Sequence, residues 1–150
     1  SPIERQADIV VACAGGFPKD INLYQTQKAL DNAKYAVRDG GTIILVGSCA
    51  EGYGEAVFEQ WLKEAGSPQD LIDRVQTNFE LGGHKAAAIA MTLTKAEVCL
   101  VSDMQAPDVR RAFLRPAASL QDAFEKAMQK YGEGADVIIM PYAGSTLPKL

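Results

Sequence analysis

The segment Cys13-Ala14-Gly15-Gly16-Phe17-Pro18-Lys19-Asp20-Ile21-Asn22-Leu23-Tyr24-Gln25 carries the residues of this chain best suited to hold a ligand. It leads from an apolar run, through a glycine pair, into a helical pattern, where unpaired backbone N–H groups and the helix dipole favour an anion. Asn22 reads as the N-cap, with Gln25 three residues on able to return the bond. That start puts Tyr24, Gln25 and Lys28 on neighbouring positions of the first turns, because residues three and four apart are helix neighbours. A lysine near a helix start gains nothing from the dipole, and an anionic ligand would change that balance. One charged and two neutral donors on one patch suit a carboxylate or a phosphate. The plainer alternative makes Lys28 a solvated lysine, Tyr24 a packed aromatic and Gln25 only a cap.

A second segment, Gly82-Gly83-His84-Lys85-Ala86, opens another helix with the only histidine of the chain. A helix start disfavours imidazolium and leaves a ring able to donate or accept a hydrogen bond. A lone histidine there also serves as a cap or a surface residue. No second histidine exists for a His-rich metal site, and no Ser-His-Asp arrangement follows from the spacing. Gly15-Gly16-Phe17-Pro18 lacks the Gly-x-Gly-x-x-Gly dinucleotide spacing, and Asp39 falls before the second strand, where a ribose-binding acid does not belong. Cys13, Cys49 and Cys99 are odd in number and far apart, so reduced thiols on or near strands are expected.

These segments need a scaffold, and the periodicity supplies one. Continuous apolar runs at 8–14, 42–47, 97–102 and 136–140 read as strands covered on both faces, with 112–115 as a further edge piece. Helical spacing marks 22–38, 54–66, 68–81, 84–95 and a last helix from Ser119 to about Tyr131. Ser67-Pro68-Gln69-Asp70 joins an N-cap, a first-turn proline and an acid at the third position. The expected fold is α/β, a three-layer doubly wound and mostly parallel sheet of about four or five strands with helices on both faces, in one domain over 1–150. In such sheets the ligand lies beyond the carboxyl ends of the strands.

Composition agrees with this. A chain of 150 residues with 47% hydrophobic and 23% charged side chains buries roughly 68–70% of its unfolded surface. Its net charge of −4, with no clustered basic run, does not support a nucleic-acid surface. The apolar runs fall far short of the ~20 residues of a membrane helix. The start Ser1-Pro2-Ile3-Glu4-Arg5 is unlike a secretory signal, so the chain is expected in the cytoplasm without a membrane partner.

The block Ala14 to Gln25, followed by Lys28-Ala29 and by Gly82-Gly83-His84-Lys85-Ala86, resembles the C-terminal half of the nickel-dependent lactate racemase family, and the whole chain fits that half. The resemblance implies a two-domain enzyme with its site in the cleft between domains. It implies a nickel-pincer nucleotide derived from nicotinic acid mononucleotide, held mainly by the N-terminal domain, which also carries the nickel-binding and proton-exchanging histidines. The family's Tyr-Gln-x-x-Lys patch matches Tyr24, Gln25 and Lys28. By that match Gln25 and Lys28 bind substrate and Tyr24 forms the cofactor-side wall, with no metal ligand and no catalytic residue in this chain. Gly15, Gly16, Lys19, Asn22, His84 and Lys85 are further residues expected to line the cleft. The implied reaction inverts the carbon bearing a 2-hydroxyl through a planar keto acid. Where some members carry an aromatic residue, this chain has Ala86-Ala87-Ala88, so a 2-hydroxy acid bulkier than lactate fits the expectation. A start at Ser1 without an initiator methionine is read as following a missing N-terminal domain. The alternative is a self-contained nucleotide- or phosphate-binding module.

Overall fold

The computed structural model describes residues 2–150. Five parallel strands, β1 (Ala7–Cys13), β2 (Val37–Val46), β3 (Glu97–Val101), β4 (Arg115–Ala117) and β5 (Val137–Met140), form one sheet in the order β4-β3-β2-β1-β5. Between them run α1 (Leu23–Ala33), α2 (Ala56–Glu64), α3 (Pro68–Thr77), α4 (Gly83–Leu93), α5 (Ala106–Arg111) and α6 (Leu120–Tyr131), and a 3-10 turn, Ala143–Ser145, follows β5.

The β1 sequence explains why it is central. Its apolar residues alternate between two cores: Val10 and Ala12 pack with Leu23, Ala29 and Leu30 of α1, while Ile9 and Val11 pack with Ala123 and Ala127 of α6. Each fully buried Val, Ile or Leu contributes about 1.5–3 kcal/mol relative to an exposed one. Residues of α1 to α5 share the first core, and α6 alone among the helices closes the second, so helices cover both faces as expected. The chain steps outward from β1 to β4 on one side; α6 then crosses the other face and returns the chain to the opposite side of β1 as β5. The strand order therefore reverses between β1 and β5. In open parallel sheets this switch point opens a crevice at the carboxyl ends of the strands.

Several expected boundaries move. The helix expected over 22–38 stops at Ala33, and Val37 enters β2, where it pairs with Ala7. Val37 is buried either way, so helical spacing alone could not distinguish the two placements. The helix expected to reach Leu81 ends at Thr77, because Glu80 turns back to accept from Trp61 Nε1 at 2.8 Å. The expected edge strand at 112–115 is mostly the turn after α5, and the strand is Arg115–Ala117. Helix α5 itself, with Pro107 in its first turn, was not anticipated. The caps expected at Asn22 and Ser67 form, accepting from Gln25 N and Asp70 N, and Ser119, where the last helix was expected to start, caps α6 by accepting from Asp122 N.

Candidate functional site at the switch point

At the carboxyl end of β1 the backbone passes through Gly15 (φ 104) and Gly16 (φ 78), left-handed conformations that favour glycine. A side chain at Gly15 would also meet Lys19 and Tyr142. Asp20 then ties this loop to the segment after β2: its Oδ2 accepts from Ser48 N at 3.0 Å and its carbonyl from Cys49 N at 2.8 Å.

The start of α1 is not open in the way its sequence suggests. Leu23 N donates to Gly52 O at 2.8 Å, Tyr24 N to Tyr53 O at 3.1 Å, and Gln25 N to Asn22 Oδ1 at 2.8 Å. The loop after β2 has satisfied the donors that an anion would have used. Asn22 is buried under this loop, with Gly54 so near that a Cβ there would lie 2.1 Å from the Asn22 side chain. An anion placed here would meet side chains in place of these N–H groups.

Those side chains converge. A cavity of about 150 Å³ is lined by Ala14, Lys19, Gln25, Lys28, Ala29, Gly144 and Ser145. It brings the β1 loop, the exposed side of α1 and the turn after β5 together at the switch point. Lys19 Nζ donates to Ser145 Oγ at 3.0 Å across 126 residues of sequence. Among the described residues no carboxylate lines the cavity. Gly144 and Ser145 were missed by sequence reasoning, which contained no signal that β5 returns beside β1.

Tyr24 looks the other way. Its ring meets Phe58 edge-on, with centroids 5.4 Å apart, and the Lys85 ammonium lies 4.0 Å from its centroid while donating to Tyr24 O at 2.8 Å. Burial pushes the Lys85 ammonium below the usual lysine range; Asp31 opposes that shift and Lys28 adds to it. Lys85 thus joins α4 to the first turn of α1. His84 faces neither group: its Nδ1 accepts from Gly82 N at 3.0 Å and its ring lies 5.6 Å from that of Phe79. Larger hollows lie between α6 and the β3–β4 edge, at the amino ends of the strands, and along β5 and the turn after it, where Ile138, Met140 and Tyr142 give an uncharged lining.

The fold and the site define a doubly wound α/β domain with a cationic switch-point cavity. The family model of the lactate racemase C-terminal domain matches residues 3–147, and the chain belongs to that family. It is 30% identical over 142 residues to lactate racemase from Thermoanaerobacterium thermosaccharolyticum, covering 91% of this chain and 33% of that protein. It is 31% identical over 139 residues to lactate racemase from Lactiplantibacillus plantarum, covering 89% and 33% respectively. The solved lactate racemase apoprotein from T. thermosaccharolyticum superposes with a TM-score of 0.91 at 29% identity, covering 97% of this chain and 36% of that one. A Thermotoga maritima protein, at 16% identity and TM-score 0.66, shares the fold. The chain spans about a third of the length of the curated relatives it matches.

Proposed function

We propose that residues 1–150 are the C-terminal domain of a two-domain, cytoplasmic, nickel-pincer-dependent 2-hydroxy acid racemase or epimerase. In this reading Gln25 and Lys28 bind substrate, and Tyr24 lines the cofactor side. The observation that carries it is the Tyr24-Gln25-x-x-Lys28 patch on α1, with Gln25 and Lys28 opening into the switch-point cavity and Tyr24 on the adjoining face. Family membership favours this over a self-contained nucleotide-binding module.

The residues present suit the anionic partners of such a reaction. Lys28 and Gln25 offer an ammonium and an amide to a carboxylate, and charge-assisted hydrogen bonds of this kind orient as well as bind. The Tyr24 ring, held against Phe58 and Lys85 on the adjoining face of α1, is placed to line the cofactor side in this reading. Among the described residues no group of three or more His, Cys, Asp or Glu is arranged to hold a metal ion. The ammonium and amide donors of Lys28 and Gln25 fit an organic anion or a nucleotide phosphate, and in this reading the nickel and proton-transfer groups belong to the preceding domain. When bound, the cofactor supplies a hydride acceptor for the carbon bearing the hydroxyl. This chain's part is positioning, which accounts for large rate factors when a reactant is held in its reacting geometry.

The test uses the full-length, cofactor-loaded polypeptide, with interconversion of lactate enantiomers and of bulkier 2-hydroxy acids followed by chiral chromatography. Lys28→Ala should lower kcat/KM by about a hundredfold without moving the unfolding transition, because Lys28 is exposed. Wild-type kinetics in that variant would remove the role given to Lys28.

A further inference from the structure

We infer that the switch-point cavity is a two-walled oxyanion seat, in which Lys19, held in place by Ser145, faces Lys28 and Gln25. The inference rests on the racemase reading for the identity of the ligand, but not for the geometry of the seat. One wall is α1, which contributes Gln25 and Lys28; the other is the β1 loop and the turn after β5, which contribute Lys19 and Ser145.

Three observations support a ligand there. The backbone donors at the start of α1 are already used by Gly52, Tyr53 and Asn22, so the side chains must carry the recognition. Among the described residues neither Lys19 nor Lys28 enters an ion pair, although both line the same cavity and no acid lines it with them. The strand order reverses at this place, where open parallel sheets bind their ligands. Two ammonium groups around one hollow without a counter-charge match a carboxylate or a phosphate.

Size narrows the occupant. At about 150 Å³ the hollow is smaller than the ~300–1,000 Å³ of pockets for drug-sized ligands, so it admits one small oxyanion group and not a nucleoside. Ser145 acts as a holder, since by accepting from Lys19 Nζ it keeps that ammonium on the β5 side, opposite Lys28. An oxyanion gripped from two sides is fixed in orientation as well as in place.

The experiment uses Lys19→Met, Ser145→Ala and the double variant in the full-length, cofactor-loaded polypeptide, reading KM for lactate and the amount of bound cofactor by mass spectrometry. If the seat takes the substrate carboxylate, Lys19→Met raises KM by about tenfold or more and leaves cofactor content unchanged. If it takes the cofactor phosphate, cofactor content falls and KM of the loaded fraction stays. Either result supports the seat and names its source, while both quantities unchanged would overturn it. Ser145→Ala should give a smaller change of the same kind that disappears in the Lys19→Met background; an additive loss overturns the holding role. Both positions are exposed, and Trp61 fluorescence reports whether the variants remain folded. A damaging Lys28→Ala beside a silent Lys19→Met rejects the seat but leaves the proposed function standing. If no 2-hydroxy acid is racemised, the proposed function fails, and calorimetric titration of the apoprotein with inorganic phosphate and with L-lactate tests the seat. Heat of binding lost in Lys19→Met supports it, and heat that is absent or insensitive to Lys19 overturns it.

Discussion

Lys85 shows how a single residue can work against its surroundings for a purpose. It lies in the first turn of a helix, half buried and near Lys28, and each of these disfavours an ammonium. The Tyr24 ring and carbonyl are what hold it. Lys85→Met should therefore cost about 0.5–2 kcal/mol of stability, read from urea unfolding by Trp61 fluorescence, and Lys85→Arg should recover most of it. Cys49 is the reverse case, a group whose surroundings silence it. Desolvation pushes its thiol up to about 11, despite the hydrogen bond it gives Thr26. Since the thiol is the protonated form below that value, alkylation of Cys49 by iodoacetamide at pH 8 should be far slower in the folded protein than in urea. The folded rate should rise as pH approaches 11. At this scale much was legible: Asn22, Tyr24, Gln25 and Lys28 could be singled out because caps and helix neighbours follow from local spacing, while Lys85 was marked only by the family resemblance. The cation–π contact was not, because α1 and α4 meet only in the folded chain.

At the scale of elements, close approaches and one ionic tie hold the site's supports. A Cβ on Gly83 would lie 2.2 Å from the Trp61 ring, so α4 can start where it does only with glycine against α2. Gly83→Ala should destabilise the fold by about 1–3 kcal/mol through overpacking and lower the Tm. Asp8 in β1 joins three strands' ends, accepting from Arg38 in β2 and from Asp136 N, just before β5, at 2.8 Å. The Arg38 guanidinium, together with that N–H, holds the Asp8 carboxyl below the usual carboxylate range. A folded value below the unfolded one means that this contribution is complete above about pH 4 and is lost as pH falls through the folded value. The Tm should therefore drop on acidification below about pH 4, and less steeply in Asp8→Asn. Strand and helix identities were mostly legible from apolar periodicity. The boundary between α1 and β2 was not, because Val37 satisfies burial in either element and only pairing with Ala7 decides between them.

For the whole molecule, the contrast is between an acidic chain, with a net charge of −4, and one hollow whose charged lining residues, among those described, are the lysines Lys19 and Lys28. Lys19 and Lys28 are exposed, so their attraction for an anion is screened by salt. Under the proposed function, KM for lactate of the full-length, cofactor-loaded polypeptide should therefore rise between low and 0.5 M sodium chloride, and the rise should shrink in Lys28→Ala. An unchanged KM across that range would remove the electrostatic part of substrate capture.

The amino-acid sequence by itself determined the class of fold, the caps, and the neighbouring placement of Tyr24, Gln25 and Lys28 on α1, because each depends on residues near one another along the chain. It also suggested that the helix start would bind an anion through its own N–H groups. Only the tertiary structure decided otherwise, by folding the loop after β2 onto those donors. The same long-range geometry placed β5 beside β1 and so brought Ser145 to Lys19. Strand order is set by which apolar faces α6 and the other helices can bury together, and no local spacing encodes that.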